Sequence, residues 1–161
     1  MYGHNESFQS NVKAINALVS ALKKHCKGIT INTDEMILVS ELENQICSLR
    51  DTIFTKYSEN GLWMKDFSSP RTAIELKTHR SNSSIVKSLE RGKLLQKYDN
   101  LGEALSDNFI TSDHVDLLVK FNSEKYSDFF DRDIDLLVEN ACALSPRQFL
   151  QVLTHWKNNA D

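Results

Sequence analysis

Five histidines, three cysteines and a run of aspartates are the side chains in this 161-residue chain that could do chemistry. His4, His25, His79, His114 and His155 all lie more than five positions apart, so no H-x-x-x-H pair can face one metal ion from a single helix. His114 has Asp113 and Asp116 near it beside an expected helix start. A metal there would need further ligands from elsewhere, and a satisfied surface histidine is expected instead. Asp128, Asp131, Asp133 and Asp135 in YSDFFDRDIDLL have the look of a cation loop. A calcium loop needs glycine at its sixth position and glutamate at its twelfth. Counting from Asp128, Asp133 takes the glycine position, while Phe129, Phe130 and Ile134 demand a helix, so a solvated acidic helix face is expected. Cys26, Cys47 and Cys142 are odd in number and contain no C-x-x-C pair, which argues against a disulfide framework and a cysteine-ligated zinc. His25 and Cys26 are adjacent, and neighbours on a helix point apart, so they make no nucleophile–base pair. No G-x-S-x-G elbow, phosphate loop or G-x-G-x-x-G is present. No catalytic residue, metal site or cofactor is assigned.

The stretch PRTAIELKTHRSNSSIVKSLERGKLLQ is the most informative. A short helix, a polar turn at His79–Asn82 and a longer helix form the layout of a helix-turn-helix unit. In the DNA-reading version, early side chains of the second helix meet base edges. Here those would be Ser83, Ser84, Lys87 and Arg91. Arg80, Ser84, Lys87 and Arg91 share one face by spacing if the helical phase extends back to Arg80, with Ile85, Val86 and Leu89 opposite. Residues 71–98 carry seven basic and two acidic residues, and 99–139 three basic and eleven acidic. The 71–98 stretch is therefore the expected contact for duplex DNA. The plainer reading is two helices joined at a polar turn, with solvated lysines and arginines.

The elements that would position these residues are all helices. Phe8, Val12, Ile15, Val19 and Leu22 make one apolar stripe, with Gly28 placed for a left-handed stop. Thr33 is a plausible N-cap, followed by Asp34 and Glu35 in the first turn. Val39, Leu42, Ile46, Leu49 and Ile53 form the seam of a long helix that Gly61 closes. That seam is expected to pack within the chain; the alternative is a homo-oligomer through helix 33–60. Ser69-Pro70 opens a short helix, and Ser145-Pro146-Arg147-Gln148 is a capping box. Gly92 marks a bend or a close helix crossing. Further helices are expected at Leu101–Asp107, after Thr111, and around Phe129–Val138. The fold class is all-α: a multi-helix orthogonal or irregular bundle with long N-terminal helices, in a single domain over 1–161. No apolar run reaches the roughly 18 residues of a membrane span, and MYGHNESFQS lacks a secretion signal, so a cytoplasmic setting without membrane is expected.

The order of features from Leu62 onward resembles the helical domain-of-unknown-function family 222 (DUF222), found mainly in actinobacterial proteins. That domain often precedes a His-Asn-His endonuclease domain. The similarity runs through LWMKDFSSPRTAIELKTHRSNSSIVKSLERGKLLQKYDNLGEALSDNFITSDHVDLL and LLVENACALSPRQFLQVLTHWKNNAD. Glu103-Ala104-Leu105, Ile110-Thr111, His114-Val115 and Leu144-Ser145-Pro146 stand at the family's places. It covers about 33–161, and 6–32, the N-terminal helix and linker, more weakly. Asn100 stands where the family usually has proline, and Asn108 where it has glycine. The resemblance implies a non-catalytic helical domain of an endonuclease-like or mobile-element protein that assists DNA binding. Any nuclease chemistry would lie beyond Asp161. A protein-interaction or self-association module is the alternative.

Overall fold

The computed structural model describes residues 3–160, with side chains from residue 6 onward. Among them are eight α-helices and no strand: α1 (Gly3–His25), α2 (Thr33–Glu59), α3 (Pro70–Thr78), α4 (Asn82–Lys97), α5 (Asp99–Ser106), α6 (Ser112–Phe121), α7 (Ser127–Ala143) and α8 (Pro146–Ala160). The chain divides into two compact units, Met1–Ser40 and Glu41–Asp161. Helix α2 runs continuously through the boundary. No described helix is long and apolar enough to cross a membrane.

Local chemistry sets most of the helix ends. Ser69 Oγ accepts the Thr72 N–H at 3.1 Å, with Pro70 in the first turn where no amide hydrogen is needed. Ser81 does the same for Ser84 at 3.3 Å. Gln148 and Ser145 cap each other, the Ser145 N–H donating to Gln148 Oε1 at 3.1 Å. Gly61 adopts φ 70° and ends α2 as expected. The start of α2 differs by one residue. Asn32, not Thr33, forms the reciprocal box: its Oδ1 accepts the Glu35 N–H at 3.0 Å, and Glu35 Oε2 accepts the Asn32 N–H at 2.9 Å. Gly28 does not take the left-handed conformation, since Gly61 is the one positive-φ glycine among the described residues. Asn108 does take it, at φ 60°, and so does the job of the glycine that the resemblance led one to expect there.

The core of the second unit is built by α4 to α8. Leu101, Leu105, Val115, Leu118, Phe130, Leu137, Phe149 and Leu153 are all essentially sealed from solvent. Tyr98, Phe130, Trp156 and Tyr126 form a chain of tilted and edge-on ring pairs across it. A smaller cluster joins Phe54 of α2 to Ile74, Ile85 and Leu89, closing the inside of the α3–α4 corner. The acidic row lies on helix α7, with Asp133 on the other side from Asp131 and Asp135, and three of its four carboxylates hold neighbouring elements. Asp131 accepts from Lys97 and Tyr98, Asp135 accepts from Asn100 at 2.7 Å, and Asp133 accepts the Trp156 indole N–H at 2.9 Å.

Gly92 is the close crossing. A Cβ there would lie 2.0 Å from Thr55 Oγ1 and 2.7 Å from the Asp51 carbonyl oxygen, so α2 and α4 meet backbone to backbone at that point. Gly92→Ala is therefore expected to cost about 1–3 kcal/mol of stability by overpacking, although alanine gains about 1 kcal/mol in helix propensity; chemical denaturation measures it. The hydrogen bond from Arg132, opposed by partial burial and helped by Trp156, lowers Asp133 to about 2 from the usual 3.8. A depressed carboxylate stabilises the fold above its unfolded pKa, and the gain is lost as pH falls through the folded value. The thermal midpoint of the wild type should thus exceed that of Asp133→Asn at neutral pH, and the two should converge as pH falls from about 4 to about 2.

Candidate functional site

The proposed DNA-contact residues lie on α4 and the turn before it, and the structure separates them. His79 stops α3 in the left-handed conformation at φ 55°, its N–H donating to the Glu75 carbonyl at 2.9 Å. Arg80 and Ser83 follow in solvent, with Ser83 Oγ 3.2 Å from Ser81 Oγ. Ser84 is half-buried and Lys87 is exposed. Arg91 is the correction: it is only 8% exposed and faces inward. Its Nε–H donates to Asp51 Oδ2 at 2.6 Å and its Nη1 to Asp116 Oδ1 at 2.8 Å. Helix α6 packs on α4 and brings Asp116 to Lys87 and Arg91, two of the residues expected to meet DNA.

A connected polar network therefore occupies the place of the expected interface. Asp51, 1% exposed, takes Arg91 and also Arg50, whose Nη2 lies 3.0 Å from Oδ1. Arg50 Nε–H donates to the buried Ser88 hydroxyl at 3.2 Å. Lys87 Nζ reaches Asp116 at 3.7 Å from the solvent side. Burial works against the Arg91 charge, but the hydrogen bond and charge of Asp51, then those of Asp116, outweigh it and raise its pKa above the ordinary value. Three of the seven basic residues in 71–98, namely Lys87, Arg91 and Lys97, face carboxylates from outside the segment. Counting those carboxylates reduces the local excess from five positive charges to two.

A second polar anchor lies nearer the start of α2. The Asn44 amide donates to the Ile110 carbonyl at 3.1 Å and to Asn108 Oδ1 at 3.2 Å, while its Oδ1 accepts the Ser112 N–H at 2.9 Å. It thereby satisfies one of the open amides at the start of α6. His114 is satisfied, as expected, but it is buried and not at the surface. Its Nδ1 accepts the Thr111 N–H at 3.1 Å and its Nε2 lies 2.9 Å from the Leu144 carbonyl, an arrangement that the Nε2–H tautomer fulfils. Both imidazole nitrogens are used by the fold, and no group of three or more metal-ligating side chains occurs among the described residues.

These anchors fix the rotation of α2 about its axis. Asn44, Asp51 and Thr55 are buried inside the second unit, and Phe54 is the one apolar side chain of α2 buried with them. The opposite face carries the seam, and Val39, Leu42, Ile46, Leu49 and Ile53 are all exposed. The expectation that this seam packs inside the chain is thus overturned. The stripe of α1 is exposed as well at Phe8, Val12, Ile15 and Leu22, with Val19 half-buried.

No protein-family model, curated protein or solved structure matches the chain. Arg91→Ala would leave Asp51 buried beside Arg50 alone, and is expected to lower the unfolding free energy by about 3–5 kcal/mol. Lys87→Ala removes an exposed pair and should cost less than about 1 kcal/mol. Urea denaturation of both variants checks the contrast, and equal effects would show that Arg91 is not the structural member of the pair.

Proposed function

We propose that this chain is a non-catalytic helical interaction module whose α2 seam receives the apolar face of a partner helix. One observation carries the reading: α2 turns a polar face toward its own unit and leaves five apolar side chains in solvent at spacings of three and four. Such a contiguous exposed patch on a folded protein marks an interaction site. A helix laid along it would bury anchors at successive turns, the helix-in-groove mode of recognition. The other reading, assistance in placing an endonuclease-like protein on DNA, rests on the DUF222 resemblance and on Arg80, Ser83 and Lys87, which remain at the surface. It loses Arg91 to the interior and most of the local positive excess to Asp51, Asp116 and Asp131, and so the geometry favours the interaction module.

Site-specific photo-crosslinking in the native host tests the module. A photoreactive residue replacing Leu49 should give an adduct of discrete mass, and one replacing Lys93, exposed on α4 away from the seam, should not. Equal diffuse labelling at both positions would sink the reading. On the DNA side, Arg80→Ala with Lys87→Ala should leave retention on duplex DNA unchanged at every salt concentration, because removing contacts to phosphates would otherwise weaken retention and flatten its salt dependence.

A further inference from the structure

Resting on that reading, we infer that the partner is a second copy of this chain, met through α1 and the exposed apolar face of α2 in a two-fold, four-helix assembly. At the start of α2, Met36, Ile37, Leu38 and Val39 are consecutive and all exposed, Leu38 by 63% and Met36 by 61%. Successive helical residues step 100° around the axis, so these four cover every side of α2. A turn of helix with no polar side is an exposed apolar patch of the kind that marks a contact surface. One neighbouring helix would cover one side, and the rest of the circumference needs more.

The chain supplies matching helices. Phe8, Val12, Ile15, Val19 and Leu22 follow spacings of four and three on the 23-residue α1, the same seam periodicity as α2. Two copies bring two α1 and two α2 helices, the number a four-helix bundle uses. A two-fold axis lets the identical patch on each copy meet itself. The α1 helices then enclose the remaining sides of residues 36–39.

Charge selects the same occupant. Helix α1 and the residues after it carry Lys13, Lys23, Lys24 and Lys27 against Glu6, whereas α2 carries Asp34, Glu35, Glu41 and Glu43 with no basic residue before Arg50. The rims of α1 and α2 are therefore complementary, and alternate around a bundle without like-charge contacts. The same carboxylates beside residues 36–39 would be repelled by an anionic lipid surface or a nucleic acid.

The test is light scattering of the full chain across micromolar concentrations, with a fluorescent dye for apolar surface and with vesicles of anionic lipid. A mass twice the 18.4 kDa of one chain is expected. Ile37→Asp with Val39→Asp, and separately Ile46→Asp with Leu49→Asp, should each weaken dimerisation on the order of a hundredfold or more. The dissociated variants should stay folded, with a cooperative thermal transition, because none of the four side chains belongs to the buried core. A dimer untouched by either pair of aspartates overturns the inference. A monomer that binds the dye strongly, and loses it on Ile46→Asp with Leu49→Asp, overturns the second copy while keeping the interaction surface. A monomer that binds no dye overturns both, and a monomer taken up by the vesicles replaces the second copy with lipid.

Discussion

A guanidinium that gives up most of its water at Arg91 has to be compensated inside the protein, and its partners come from far along the chain. Asp51 stands forty residues earlier and Asp116 twenty-five residues later, so one side chain on α4 ties α2 and α6 to it. A buried pair of this kind adds little net stability over well-packed apolar residues, but breaking it by removing one partner is costly. Its effect is to admit one arrangement. The α2 helix can dock only with Asp51 facing Arg91, and the near contact of Gly92 with the Asp51 carbonyl fixes where along α2 the crossing falls.

The orientation of α2 and the availability of its seam follow from that constraint. Beside the apolar Ile74, Ile85 and Leu89 that take Phe54, the surface that receives α2 presents Ser88, Arg91, Gly92 and the Ser112 amide, which meet Arg50, Asp51, Thr55 and Asn44. Turning the seam inward would set leucines and isoleucines against hydrogen-bonding groups and would strand Arg91 without Asp51. Burying apolar area is favourable in general, yet it cannot offset polar groups left without partners on the receiving side. The apolar face therefore stays outward, which is the physical ground for reading this protein through helix–helix association instead of through its basic residues.

The helices themselves were legible because their signals are local. Ser69-Pro70, Ser81, Gly61 and Ser145 with Gln148 act within one turn of the residues they cap, and the periodic stripes name an apolar face wherever the helix lies. The one-residue error at α2 has the same local character: Asn32 and Thr33 are both cap formers, and Glu35 sits three residues after Asn32, the separation the reciprocal box uses. The site was harder to read. The spacing of Ser84, Lys87 and Arg91 places them on one side of α4, whereas Arg80 lies outside the helix because Ser81 caps it in an extended conformation, and spacing says nothing of what lies against that side. The nearest hint was the acidic excess of residues 99–139, which supplies Asp116 and Asp131 as partners for the basic stretch before it.

The amino-acid sequence alone determined an all-helical chain, the ends of most of its helices and the periodicity of both seams, because hydrogen-bond caps and helical phase depend on residues within a few positions. Only the tertiary structure decided that Arg91 is interior, that α2 presents its polar side to its own unit, and that the seam remains in solvent. Those outcomes depend on which side chains from distant segments share one dehydrated space, and neither spacing nor composition encodes that pairing.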